Sequence, residues 1–172
     1  MSSEISGARS RTVQVLRLVS VVAVWVALLG PAWAYVPATT STPPTSVTFA
    51  DLVAVNSTNP NALQAAFYGW IAWVFAVLTT TLVIAAIRFT SRIWAIVTVV
   101  CGAVQLLITM LVSAQAAPSL SALLSSLPYT RSGTVLFLGS MICLICAGIL
   151  SLRPPVAQNA SATVGMPVPA TS

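Results

Sequence analysis

Four runs of this chain, residues 18–36, 65–87, 93–114 and 134–152, contain no Asp, Glu, Lys, Arg or His. Each is near the length of about 20 apolar residues that a helix needs to cross a hydrocarbon core. Hydrocarbon offers no partner for backbone N–H and C=O groups, so each run must satisfy its own, and a helix does that. None shows the strict alternation that a barrel strand requires. Composition removes the soluble alternative. Charged residues are 5% of the chain and hydrophobic residues 58%, where a soluble domain carries about 25% charged residues. The expected fold is an all-α membrane protein, a bundle of four transmembrane helices in one domain, 18–152. A cytoplasmic segment, 1–17, precedes it, and a Pro-, Ala- and Ser-rich cytoplasmic tail, 153–172, follows it and is expected to be disordered.

Arginine sets the orientation. Arg9, Arg11 and Arg17 precede the first run, Arg88 and Arg92 lie between the second and third, and Arg153 follows the fourth. With an even number of spans these share one face, and Arg131 alone falls on the other. The positive-inside rule makes the arginine face cytoplasmic, so both termini are expected inside a multi-pass protein of the plasma membrane. Trp33, Tyr35, Tyr68, Trp70 and Tyr129 then lie near the outer boundary, with Phe89 and Trp94 near the inner one. The seven arginines are scattered singly, which is no nucleic-acid footprint. The absence of lysine fits a GC-rich bacterial genome.

The first run has a competing interpretation. Arginines, an apolar stretch, Gly30-Pro31 and Ala32-Trp33-Ala34 resemble a signal peptide with an A-x-A cleavage site. Retention is expected, because the charge-free run continues to Val36. Cleavage would leave three spans.

The outer loops differ. Residues 37–48 (PATTSTPPTSVT) should be extended and mobile. Residues 49–55 (FADLVAV) are apolar around Asp51 and predict a short turn of helix against the membrane. Asn59-Pro60 reads as the N-cap and first residue of the second helix. Asn56-Ser57-Thr58 matches a glycosylation sequon. In the second loop, Leu120, Leu123, Leu124 and Leu127 recur at helical spacing between Pro118 and Pro128. They predict a short interfacial helix lying over the bundle.

Small residues should mark where helices meet. The third span carries Ser91, Ala95, Thr98, Gly102, Gln105 and Thr109 in one stripe. The second has Ala65, Gly69, Ala72, Ala76 and Thr80, the first Ser20, Ala23, Ala27 and Ala34, and the fourth Gly139, Cys143 and Ala147. Bundle packing and self-association could use the same faces. Gln105 is the strongly polar side chain near mid-membrane. It serves either as an interhelical hydrogen bond or as a ligand on a transport path, with Thr98, Gly102 and Thr109 beside it.

Cys143 and Cys146 form a C-x-x-C on the fourth helix and could make a dithiol pair. Four-helix membrane quinone reductases of the vitamin K epoxide reductase type look similar in layout, but they also use loop cysteines, and Cys101 is inside a span. Small four-span drug exporters resemble the chain in size and depend on a membrane-embedded Glu that it lacks. No ionisable group is expected inside a span, which disfavours proton coupling and voltage sensing. Without histidine, and with Glu4 and Asp51 as the only acids, zinc sites, carboxylate pairs and Ser–His arrangements find no support. No enzymatic activity and no cofactor are expected.

Phe49-Ala50-Asp51-Leu52, with the later run from Ala66-Phe67-Tyr68-Gly69-Trp70 to Ile71-Ala72-Trp73, resembles a pattern in uncharacterised actinobacterial four-span membrane proteins. The resemblance covers about thirty residues and brings no activity. It implies that Asp51, Tyr68, Trp70 and Trp73 form an outer contact surface. The expected function is an accessory or scaffold subunit that acts through a membrane-protein partner or self-association. A small-molecule or lipid transporter using the Gln105 stripe is the alternative, and a dithiol oxidoreductase using Cys143 and Cys146 stands third.

Overall fold

The computed structural model describes residues 2–41, 43–58, 61–89, 91–116 and 130–152. Its elements are α1 (Ser2–Leu29), β1 (Ala34–Val36), β2 (Thr45–Val47), α2 (Phe49–Asn56), α3 (Ala62–Arg88), α4 (Arg92–Ala116) and α5 (Ser132–Leu152). Four of them, over Ser10–Leu29, Ala62–Arg88, Arg92–Gln115 and Ser132–Leu152, are long and apolar enough to cross a membrane. The expected interfacial helix around Leu120–Leu127, Tyr129, the Asn59-Pro60 pair and the tail 153–172 lie outside the described residues.

Neighbouring spans run antiparallel. Contacts pair Arg17, midway along α1, with Ala86 and Ser151, and Trp33, just past the end of α1, with Thr134. Thr79 on α3 meets Gln105 on α4, and Thr109 meets Met141 on α5. The result is an up-and-down bundle with an arginine end and a hairpin end. Helix α5 packs most closely, on α1 and α4, while α3 touches α1 and α4 more lightly. Val22, Leu29, Val77, Ile84, Leu107 and Val135 are exposed on the outside. They form the apolar coat expected where lipid is the solvent.

The first span is shorter than its apolar run. Helix α1 stops at Leu29, and the residues expected to continue it to Val36 turn away into β1. Pro31 is the reason. It has no N–H to give to the carbonyl four residues back, and its ring crowds that carbonyl. The abandoned acceptor is Ala27 O, and the Trp33 indole Nε1 donates to it at 2.6 Å. A side chain thereby replaces the missing backbone bond.

The loop expected to be mobile is in part a paired hairpin. Strand β1 runs antiparallel to β2 with Ala34 opposite Val47, Tyr35 opposite Ser46 and Val36 opposite Thr45. Ala34 also bridges to Thr130 before α5. Helix α2 follows at the predicted place. Helix α3 is capped by Asn61, whose side chain accepts from Leu63 N at 3.1 Å and Gln64 N at 3.3 Å. The cap is thus not the Asn59 expected from the Asn-Pro pair.

Within α3, residues Phe67–Ile71 form a π-turn, closed by Ala72 N–H donating to Phe67 O. A π-turn inserts one residue and shifts the face of everything on one side of it. Ala72, Ala76 and Thr79 are buried, whereas Gly69, expected in the same row, is exposed. The small face expected on the fourth span is displaced as well. Gly139 and Cys143 are only partly covered, and the packed face of α5 runs through Gly133, Phe137, Ser140, Met141, Leu144, Ala147 and Gly148.

Candidate functional site

Trp33 ties the hairpin end together. Its backbone N–H donates to Val47 O at 2.8 Å, and its carbonyl accepts from Arg131 N at 3.1 Å and Thr134 Oγ1 at 2.8 Å. Its ring lies 5.0 Å from Phe49 and 5.0 Å from Phe137, centroid to centroid. Phe67 and Tyr68 on the π-turn extend the cluster, 6.0 Å from Phe137 and 6.5 Å from Trp33 respectively. Aromatic pairs at such separations favour tilted and edge-on contact.

Helix α2 packs on this cluster through Phe49, and a reciprocal cap closes its N-terminus. The Asp51 carboxylate accepts from Thr48 N at 2.8 Å, and Asp51 N donates to Thr48 Oγ1 at 3.3 Å. The two hydrogen bonds from Thr48, backbone first, hold the Asp51 carboxyl below the usual carboxylate range. Asp51 therefore works first for its own helix. The Thr48-x-x-Asp51 spacing, a legible capping box, was the signal available for it. Asn56 in the sequon is buried, and its Nδ2 donates to Leu52 O at 2.9 Å, so its amide is engaged in the fold.

Of the four residues expected on the outer surface, Asp51 and Trp70 are exposed, Trp70 at 59%. Tyr68 and Trp73 are half-buried. Trp73 sits 5.8 Å from Phe49 and 6.4 Å from Trp25, which itself donates to Thr80 Oγ1 at 3.0 Å. Below α2, an open apolar cleft of about 370 Å³ is lined by Leu28, Leu29, Phe49, Ala50, Val53 and Trp73. Helix α2, the exposed Trp70 of the π-turn and the cleft lined by the end of α1, α2 and Trp73 all lie at the hairpin end of the bundle.

The Gln105 stripe occupies a separate place, inside the bundle. Thr98, Gly102, Gln105 and Thr109 are all buried. Thr98 and Thr109 donate to carbonyls of their own helix, Trp94 O and Gln105 O, at 2.8 Å each. Thr79 Oγ1 donates to Gln105 Oε1 at 3.2 Å, leaving the Gln105 Nε2 buried without a partner. Gly102 faces α5, where an added Cβ would stand 2.8 Å from Ile145 Cγ1. Cys143 and Cys146 are both free thiols, the first half-buried and the second exposed.

Arg17, the residue before the first charge-free run, lies on the helix over Ser10–Leu29 that is long and apolar enough to cross a membrane, and is half-buried at the arginine end of the bundle. Comparison with protein families, curated proteins and solved structures gives no match.

Proposed function

We propose that this chain is a multi-pass protein of a bacterial plasma membrane, with both termini in the cytoplasm, that acts as an accessory or scaffold subunit through contact with a membrane-protein partner. The folded first outer loop carries the proposal. Helix–helix connections usually take about 2 to 8 residues. Here Gly30 to Asn61 join α1 to α3, and much of that length is built into a hairpin and a capped helix fixed on the bundle by Trp33. A simple link needs neither. The platform presents Val55 on α2, 71% exposed, with Trp70 and the apolar cleft below. Apolar and aromatic groups of this kind anchor protein contacts.

The test is photocrosslinking in native membranes from a photoreactive residue at position 55, with position 135 on the outer face of α5 as control. A discrete protein adduct from position 55 and lipid adducts alone from position 135 are expected. Lipid adducts alone from both positions would contradict the proposal.

A second function, transport of a small polar molecule along the α3–α4 seam, is favoured by one observation. The buried Gln105 Nε2 has an unused donor, and such a group in a native structure calls for an explanation.

A further inference from the structure

At the arginine end, Arg17 reaches from α1 to two other helices. Its Nη1 donates to Ala86 O at 3.1 Å, and its Nη2 to Ser151 Oγ at 3.2 Å. Ala86 belongs to the last turn of α3, where carbonyls lack intrahelical partners and a positive charge is favourable. These two bonds fix the guanidinium without using all of its N–H donors. Its Nε is enclosed with no partner.

Among the described residues, the cation is paired with no carboxylate. Glu4 and Asp51 are the only acids of the chain. Asp51 caps α2 at the opposite end of the bundle. Glu4 lies more than three turns before Arg17 on the continuous helix α1, roughly 20 Å at the helical rise. That exceeds the screening length of about 8 Å at physiological salt. Arg88, exposed in the same last turn of α3 as Ala86, brings a second guanidinium to this end. The contact of α1 with α3 is lighter than that of α1 with α5. At the level of the helix ends, the oxyanion that surrounds a membrane protein is the headgroup phosphate. Arg binds phosphate through charge-assisted, often paired hydrogen bonds.

We propose that Arg17 and Arg88 form a binding site for the phosphate of an anionic phospholipid, seated between the arginine ends of α1 and α3. The site is independent of the outer platform and of which face is cytoplasmic.

The experiment is native mass spectrometry of the full chain in detergent, titrated with phosphatidylglycerol, phosphatidylcholine or inorganic phosphate. Phosphatidylglycerol should bind about tenfold more tightly than phosphatidylcholine, and Arg17→Gln should lose about tenfold, the effect of one charge-assisted hydrogen bond. Arg88→Gln should weaken binding less. Arg92→Gln makes the same change of charge on α4 and should leave binding unchanged. Equal binding of the two lipids, or equal losses in Arg17→Gln and Arg92→Gln, would overturn the site. Displacement of the lipid by millimolar inorganic phosphate would make it a soluble-anion site and would also overturn it. If Arg17→Gln does not fold, lipid selectivity in the parent and a loss in Arg88→Gln decide the matter, and absence of either overturns the proposal.

Discussion

Trp33 fills the space that a side chain at Gly133 would need. An added Cβ there would overlap Trp33 Cδ1 and come within 2.9 Å of both Ala32 O and Pro31 O. The N–H of Gly133 donates to Ala32 O at 3.0 Å. The start of α5 is thus pressed against the turn that ends α1, and two of the three obstacles are backbone.

Gly133→Ala should therefore destabilise the bundle by about 1 to 3 kcal/mol, the usual cost of overpacking. Gly139 has nothing within 4 Å of an added Cβ. Gly139→Ala should be neutral or stabilising by up to about 1 kcal/mol, through helix propensity. Thermal unfolding of both variants in detergent checks the contrast.

Gln105 and Thr79 should be weakly coupled. Interhelical polar pairs in membranes average about 0.6 kcal/mol, and Gln105→Leu also removes an unpaired buried donor. A double-mutant cycle with Thr79→Val should give coupling of that order, with Gln105→Leu close to the parent in stability. Gly148→Ala should do more harm than Gly102→Ala. At Gly148 an added Cβ meets Ala95 O at 3.1 Å and Val99 N at 3.3 Å besides the Val99 side chain, whereas at Gly102 it meets only side chains of Ile145 and Leu144. Detergent unfolding that reverses this order would contradict the packing described.

The spans were legible because lipid imposes one simple demand, a long charge-free run. Their ends were not. The run to Val36 is apolar throughout, and the effect of Pro31 shows only when the carbonyl it abandons, Ala27 O, is found bonded to Trp33. Of the third-span stripe, Ala95, Thr98, Gly102, Gln105 and Thr109 are buried in one face because a regular helix preserves spacing, whereas Ser91 precedes the helix and is exposed. The row through Gly69 failed because spacing cannot reveal a π-turn. On α5, reading small residues alone passed over Phe137, Met141 and Leu144, which fill the interior beside Gly133 and Gly148. Helix α2 was visible as the run 49–55, apolar around Asp51, yet the role of Asp51 lay in the Thr48 three residues before it.

Asp51 should titrate below its ordinary value of 3.8. Because the folded state favours the carboxylate, its contribution to holding α2 is complete above that ordinary value and is lost as pH falls through the lower, folded one. The side-chain carboxyl resonance of Asp51, followed by NMR in detergent, should show a midpoint under 3.8. Thr48→Val removes the hydroxyl donor and should move the midpoint upward while leaving the backbone bond. An unshifted midpoint in the parent would remove the capping box from the account.

The orientation of the platform underlies the proposed function, and thiol labelling tests it most directly. Ser46 on β2 and Ser91 between α3 and α4 are both exposed, at opposite ends of the bundle. In intact cells, an impermeant maleimide should label Ser46→Cys, and should label Ser91→Cys only after permeabilisation, over the background of the parent with its own three cysteines. Labelling of Ser91→Cys in intact cells with protection of Ser46→Cys would place the platform in the cytoplasm and contradict the account.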